Sequence, residues 1–250
     1  MNVPSSSEPR AGFAKSDLEI CHFLKNLDFD PKVVYDLGAS NGGWTRAIRP
    51  VFPQAVFELF EPQAHRNPDY DQGLIPLLAQ HPNLRLHTNL VSNVEDLLQL
   101  RILGRSGVGS SLLGTPQEQS IEAPSRTLDN MIALGDIPPP DLIKMDIQGA
   151  ELLALEGATQ RALPVASVLA LELWMLRSYG SQTPLLSEVI EFLQPHDYFP
   201  FEFGDGYREA GLLVAQDVWF CRLGSSLAEK LWKGRLTRRI TPARTATSAA

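Results

Sequence analysis

Asp36, Glu61 and Asp146 each close a run of β-forming residues in this 250-residue chain. A carboxylate so placed can accept hydroxyl hydrogens or take up a proton. Asp36 ends Val33-Val34-Tyr35 and leads through Leu37 into Gly38-Ala39-Ser40-Asn41-Gly42, after which a helical pattern resumes. Gly38 and Gly42 let the backbone turn sharply and approach a ligand where a Cβ would intrude. Three readings of this turn stand side by side. DxGxxxG followed by an acid at the end of a second strand is a nucleoside cradle. Gly38-Ala39-Ser40-Asn41-Gly42 also spells GxSxG, the nucleophile elbow of a serine hydrolase. The plainest reading is a tight strand-to-helix turn that binds nothing.

In an open parallel sheet, ligands sit beyond the carboxyl ends of the strands, and each strand here delivers a polar residue to that edge. The second strand brings Glu61, followed by Pro62, to where a ribose diol would donate two hydrogens to one carboxylate. The third leads to Ser92 and Asn93, and the fourth ends in Asp146. Position 40 is Ser where a dinucleotide GxGxxG needs Gly, and no GxxxxGK[ST] occurs, so a pyrophosphate or triphosphate cradle is not expected. A nucleoside cofactor without pyrophosphate points to S-adenosylmethionine. Asp146 then reads as the base or acceptor orienter, or as a helix cap near Gly149. Lys144, two residues earlier, faces the same side. Together with Glu172 on a fifth strand it is expected to form an ion pair that fixes Asp146, or a structural salt bridge beneath the site. Trp174 and Tyr179 read as walls of an acceptor pocket or as packing. His87 is a base candidate or an edge histidine. The five histidines show no metal-ligand spacing, so no metal site is expected. A hydrolase would draw on Ser40, Asp146 and His196 in chain order. It would leave Glu61 without a role and Ser40 too early in the chain.

The elements that must position these residues follow from periodicity. Ser16 can cap a helix carrying Leu18, Ile20, Cys21, Phe23 and Leu24. Strands are expected at 32–37, 55–60, 84–88, 141–146 and 167–173, with helices near 43–51, 71–80, 127, 151–157 and 187–194. Pro76 is read as the first turn of its helix. An antiparallel pair, 198–203 with 218–222, closes the sheet. Strands alternating with helices predict an α/β, Rossmann-like, doubly wound and mainly parallel sheet of seven strands. Residues 90–124 blur into an irregular insertion with an amphipathic piece at 94–103. Residues 1–15 read as a flexible tail, 16–223 as one domain, and 224–250 as a basic segment that is disordered or docks an acidic partner.

An apolar content of 44%, a charged content of 20% and a net charge of −7 describe an ordinary acidic globular chain. That balance argues against nucleic-acid binding, which needs clustered Lys and Arg, and against an anionic membrane surface. Cys21 and Cys221 lie near opposite ends without metal spacing, so a reducing compartment is expected. Met1 to Lys15 holds no apolar signal core, and no apolar run approaches the ~18 residues of a membrane span. The expected location is cytoplasmic.

Asp36-Leu37-Gly38-Ala39-Ser40-Asn41-Gly42, Phe60-Glu61-Pro62, Ser125-Arg126-Thr127-Leu128-Asp129 and Leu142-Ile143-Lys144-Met145-Asp146-Ile147-Gln148-Gly149-Ala150-Glu151 together resemble the FkbM-type methyltransferases. Leu171-Glu172-Leu173 and Gln216-Asp217-Val218-Trp219-Phe220 extend the resemblance over roughly residues 30 to 222. It implies a class I fold, S-adenosylmethionine as cofactor, and O-methylation of a sugar, polyketide-type or related small molecule, by a single chain or a homo-oligomer. Gly38, Ala39, Ser40 and Asn41 would line the methionine part, Glu61 would hold the ribose, and Asn93 would stand where related enzymes place an acid near the adenine amine. Asp36, Gly42, Pro62, Ser92 and Asp146 complete the expected cofactor set. Asp146, Lys144 and Glu172 form the expected catalytic set. Gln148 stands where the family usually has Glu. A methyltransferase-like module that binds without turnover is the alternative function.

Overall fold

The computed structural model describes residues 15–103, 107, 109–114 and 119–232. Helix α1 (Asp17–Asn26) starts at a reciprocal cap: Ser16 N–H donates to Glu19 Oε2 (2.8 Å), and Glu19 N–H donates to Ser16 Oγ (3.4 Å). The apolar run after it forms β1 (Val33–Leu37), buried along its whole length as a central parallel strand must be. Then come α2 (Gly43–Ile48), β2 (Val56–Phe60), α3 (Pro68–Gln80) and β3 (Leu84–His87). After an excursion through β4 (Leu90–Val91), β5 (Asp96–Arg101) and β6 (Ser120–Arg126), the alternation resumes with α4 (Leu128–Leu134), β7 (Leu142–Met145), α5 (Glu151–Glu156) and β8 (Val168–Trp174). Helix α6 (Leu186–Leu193), the hairpin of β9 (Tyr198–Glu209) and β10 (Leu212–Arg222), and α7 (Ser226–Trp232) complete the chain.

Seven strands form one sheet in the order β3-β2-β1-β7-β8-β10-β9, in which β10 alone runs antiparallel to its neighbours. This is the doubly wound, mainly parallel seven-stranded sheet that the sequence predicts. The strand order reverses between β1 and β7, where the topology opens a crevice. Tyr35, Leu37, Phe60, Ile143, Met145 and Leu171 pack on one face against α4, α5 and α6. Val34, Phe57, Leu59, Leu142 and Val168 pack on the other, where α1, α2, α3 and α7 supply Ile20, Leu24, Ile48, Leu74 and Leu227.

Four sequence expectations are corrected. The amphipathic piece at 94–103 is strand β5, paired antiparallel with β6 in a second sheet of order β4-β6-β5, with Leu98 opposite Ala123 and Leu100 opposite Ile121. Pro76 lies inside α3, whose first turn is instead set by Pro68 behind the Asn67 cap. The closing hairpin extends well beyond the predicted pair. Within the supposed disordered segment 224–250, residues 226–232 form α7, because Leu227 and Ala228 find the core and are buried. Residues 233–250, with most of the basic cluster, and residues 1–14 of the N-terminal tail lie outside the described residues.

Candidate active site

The turn after β1 is built against its neighbours on both sides. Gly38 and Ala39 N–H both donate to Phe60 O (3.0 and 3.1 Å), which curls the chain over β2. Gly38 has φ +79°, and a Cβ there would stand 1.9 Å from Asp146 O, so only glycine lets β1 and β7 end side by side. Ser40 is also left-handed at φ 51° and donates its N–H to Glu61 Oε2 at 2.8 Å. Gln63 N–H donates to Glu61 Oε1 at 2.9 Å, so this one carboxylate fastens the turns after β1 and after β2. Burial pushes the Glu61 carboxyl up to about 7, against the opposing pull of these two N–H donors and of Lys144.

A cavity of about 180 Å³ opens beyond these strand ends. Of the expected cofactor set, Gly38, Ser40, Glu61, Pro62 and Asp146 line it, together with Phe60, Gln63, Tyr70, Asn89-Leu90-Val91 and Gln148. Its roof is the insertion, through Leu100, Gly107, Gly109, Ser110 and Leu112. Gln63 Nε2 donates to Gly107 O (3.3 Å), which holds one end of the roof.

The other predicted residues serve from outside the cavity lining. Asp36 is fully buried beneath it, accepting Thr45 Oγ1 at 2.6 Å and facing Lys144 Nζ at 3.3 Å. Ala39 points into the core, Asn41 Oδ1 accepts Gly43 N–H (3.0 Å) at the start of α2, and Gly42 is that helix's N-cap. Ser92 and Asn93 are corrected. Two residues of β4 carry the chain to the second sheet, where Ser92 Oγ meets Ser125 Oγ at 2.6 Å and Asn93 Nδ2 donates to exposed Glu156 at 2.7 Å. Asn89, Leu90 and Val91 therefore take the place at the cavity expected of Ser92 and Asn93.

Lys144 sits opposite Asp36 in the β1–β7 register, and its ammonium stands between Asp36 and Asp146 Oδ2 (3.5 Å) while donating to Gly38 O (3.2 Å). Burial works against its charge, yet Asp146 and Asp36 hold its pKa above the usual lysine value. The ion pair expected between Lys144 and Glu172 is not formed, because Glu172 is engaged by Gln148. Gln148 Nε2 donates to Asp146 Oδ1 at 2.6 Å and to Glu172 Oε2 at 3.1 Å, and Tyr179 O–H donates to Gln148 Oε1. Burial, with Asp146, Glu151 and Asp217 nearby, pushes Glu172 well above the carboxylate range. Trp174 packs edge-on against Tyr179, with ring centres 4.9 Å apart.

A second, smaller cavity of about 90 Å³ adjoins Asp146, walled by Asp17, Trp44, Lys144, Glu172, Asp217 and Trp219. Asp17 accepts the indole N–H of both Trp44 (2.8 Å) and Trp219 (3.0 Å). Asp146 lines both cavities.

The hydrolase arrangement is not assembled. His196 lies in the turn before Tyr198, which pairs with Arg222, whose N–H bonds Ser167 O where β8 begins. It therefore stands at the opposite edge of the sheet from Ser40. His87 meets buried Glu58 at 2.7 Å and stacks on Phe60, an edge role.

Residues 36–201 match the family model described as the methyltransferase FkbM domain. The chain belongs to the FkbM methyltransferase family. S-adenosylmethionine is the methyl donor of this family. No curated protein sequence matches the chain. Among solved structures, methyltransferase FkbM from Methylobacillus flagellatus KT is 20% identical at a TM-score of 0.49, covering 76% of this chain; this chain spans 43% of that one. A putative O-methyltransferase from Klebsiella pneumoniae is 12% identical, TM-score 0.48, covering 82% of this chain and 79% of its own. Magnesium protoporphyrin IX methyltransferase from Synechocystis PCC 6803 with bound SAM is 11% identical, TM-score 0.46, covering 82% and 76%.

The FkbM cavity suits such a donor. Each Glu61 oxygen accepts one backbone N–H and so keeps a lone pair for a hydroxyl, and apolar Leu90, Val91 and Leu112 offer a flat base its surroundings. Sequence reasoning missed Gln63, Tyr70, Asn89 and Glu151. Fully buried Glu151 ends the Asp146–Glu151 segment quoted from the sequence, and its Oε1 accepts Ile147 N–H (2.9 Å) and Gly149 N–H (3.3 Å).

Proposed function

We propose that this chain is a small-molecule O-methyltransferase in which Glu61 grips the ribose of S-adenosylmethionine and Asp146 takes the proton of the acceptor hydroxyl. The observation that supports it is the position of Asp146, the residue shared by the cofactor cavity and the smaller cavity beyond β7 and β8. The sulfonium cofactor brings a methyl group already activated for attack, so the protein's work is alignment, exclusion of water and proton removal. Ser40, Gly38 and the end of β7 would lie along the methionine part, and Asn89 to Val91 along the base. Lys144 on Oδ2 and the Gln148 amide on Oδ1 hold the Asp146 carboxylate in one orientation. Asp146 would take up the hydroxyl proton as the acceptor oxygen becomes methylated.

Asp17, Asp146 and Asp217 outnumber Lys144 in the wall of the smaller cavity, which disfavours phosphate or carboxylate and suits a neutral hydroxylated compound such as a sugar or a polyketide alcohol. Calorimetric titration with S-adenosylhomocysteine, followed by an assay for its release from S-adenosylmethionine across hydroxylated acceptors, tests the reading. Asp146→Ala is expected to lower turnover by about 10²–10⁴-fold, the usual contribution of general-base catalysis, with cofactor Kd nearly unchanged. Cofactor binding without turnover on any acceptor class would instead identify a binding module.

A further inference from the structure

The connection from β7 to α5 holds an uncommon backbone: Gln148 at φ 57° and Gly149 at φ 94° are left-handed in succession. A glutamine held there costs about 1 kcal/mol or more. Three contacts keep it in place. Glu151 accepts the N–H groups of Ile147 and Gly149 from within the core. Ser111 Oγ, on the roof of the cofactor cavity, donates to Gln148 O at 2.7 Å. The Tyr179 ring lies against Gly149, where an added Cβ would be only 3.0 Å from Cδ2.

All this fixes the direction of one amide. Its two hydrogens go to Asp146 Oδ1 and Glu172 Oε2, and its oxygen accepts the Tyr179 hydroxyl. A phenol at neutral pH donates, so the oxygen must face Tyr179 and the NH₂ must face the carboxyls. We propose that Gln148 is a positioning residue: with its amide on Oδ1 and Lys144 on Oδ2, it holds the Asp146 carboxyl aimed between the two cavities and ties it to Glu172, while Tyr179 locks the amide against flipping.

The surroundings agree from every side. Lys144 on β7 and Asp36 on β1 face Asp146, whereas Glu172 faces Asp146, Glu151 of α5, Asp217 of β10 and the Tyr179 hydroxyl, with no ammonium in contact among the described residues. Asp17 of α1 completes the wall beyond Lys144. Of the two carboxyls, Asp146 has the ammonium beside it, while Glu172 stands among acids and is pushed up by burial and by them. An amide can bridge such a pair because it donates to both without requiring a charge on either. A carboxyl at position 148 could donate at most one hydrogen and would add a further acid to the group.

The inference rests on the O-methyltransferase reading for its purpose, but its test does not need the acceptor. In ¹⁵N-labelled protein, the two Gln148 side-chain amide protons should be widely separated in shift and exchange with solvent at least tenfold more slowly than those of exposed Gln99. In Tyr179→Phe they should lose most of that protection. Carboxyl ¹³C titration should show Glu172 moving up by at least one pH unit, a tenfold weaker acid, in Gln148→Leu, which removes the amide donor from its Oε2. S-adenosylhomocysteine Kd stays within about threefold in Tyr179→Phe, whose ring is not part of the larger cavity's lining. A Gln148 amide exchanging like a surface glutamine in the wild type, or a carboxyl titration in Gln148→Leu that overlays the wild type, overturns the proposal. Failure to bind S-adenosylhomocysteine at all would overturn the functional reading instead and leave the amide result standing.

Discussion

Glu61 was legible in the sequence because two local rules met on it, a strand end and a glycine turn on the preceding strand. The structure adds that its oxygens also fasten those two turns, so its substitution tests geometry and binding together. Burial holds its carboxyl up to about 7. On the proposed ribose assignment, hydroxyls donating to it would favour the anion, so cofactor binding would lower that pKa and release protons near and below pH 7. Binding of S-adenosylhomocysteine at pH 6.5 should therefore show a more favourable enthalpy in Tris than in phosphate, because Tris takes up the released proton with more heat. Glu61→Gln should erase the Glu61 share of that difference and weaken binding by about 10–100-fold, the worth of one or two hydrogen bonds to a charged group. Equal enthalpies in the two buffers for the wild type would refute the ribose assignment. Asn93 was misread because spacing from a strand end cannot show that β4 turns the chain away two residues earlier. Tyr70 was invisible for another reason: it comes to the cavity from α3, where no motif marks it.

At the scale of elements, the central alternation was readable because parallel strands buried on both faces are continuous apolar runs. The second sheet was not. Leu97, Leu98 and Leu100 fit a helix stripe as well as a strand, and the partner of β5 lies beyond a long connection, so its pairing is a non-local fact. Helix α3 carries a similar hidden constraint at Gly73. Glycine inside a helix is ordinarily worse than alanine by about 1 kcal/mol, so Gly73→Ala would be expected to stabilise. Here a Cβ would stand 2.4 Å from Asn41 O and 3.1 Å from Asn41 Cβ, in the turn proposed to cradle the cofactor. The close approach dominates, since backbone cannot yield as a side-chain tip does. Gly73→Ala should lower the melting temperature and weaken S-adenosylhomocysteine binding at least tenfold, as seen by scanning calorimetry and titration. A variant as stable as the wild type, with unchanged affinity, would show that α3 and the turn move independently.

Over the whole molecule, the sheet gathers acids at the carboxyl ends of β1, β2, β7 and β8 and beside β10. Burial pushes Glu61, Glu151 and Asp217 up to about 7, and Glu172 rises further under its neighbours. The unfolded chain releases these protons near pH 4 to 5. Between there and pH 7 or above, the native state therefore binds more protons than the unfolded state, and its stability falls as pH rises. From pH 6 to pH 8 the loss is on the order of a few kcal/mol, since a tenfold change in acidity corresponds to about 1.4 kcal/mol, and in a chain of this size each kcal/mol moves the midpoint by about 2–4 °C. Calorimetry of the ligand-free protein should find a melting temperature roughly 5–10 °C higher at pH 6 than at pH 8. The acidic surface also favours the lower pH, so the decisive comparison is Glu172→Gln, which removes one buried proton site and should narrow the gap, against Glu19→Gln at an exposed position of α1, where the folded carboxyl is held low and the change should not narrow it. If the two variants behave alike, the pH dependence belongs to surface charge and not to the site. If they differ as expected, the methyl-transfer crevice keeps protonatable acids beside Asp146 at neutral pH at the expense of native-state stability, a division of roles that the residue types alone could not have revealed.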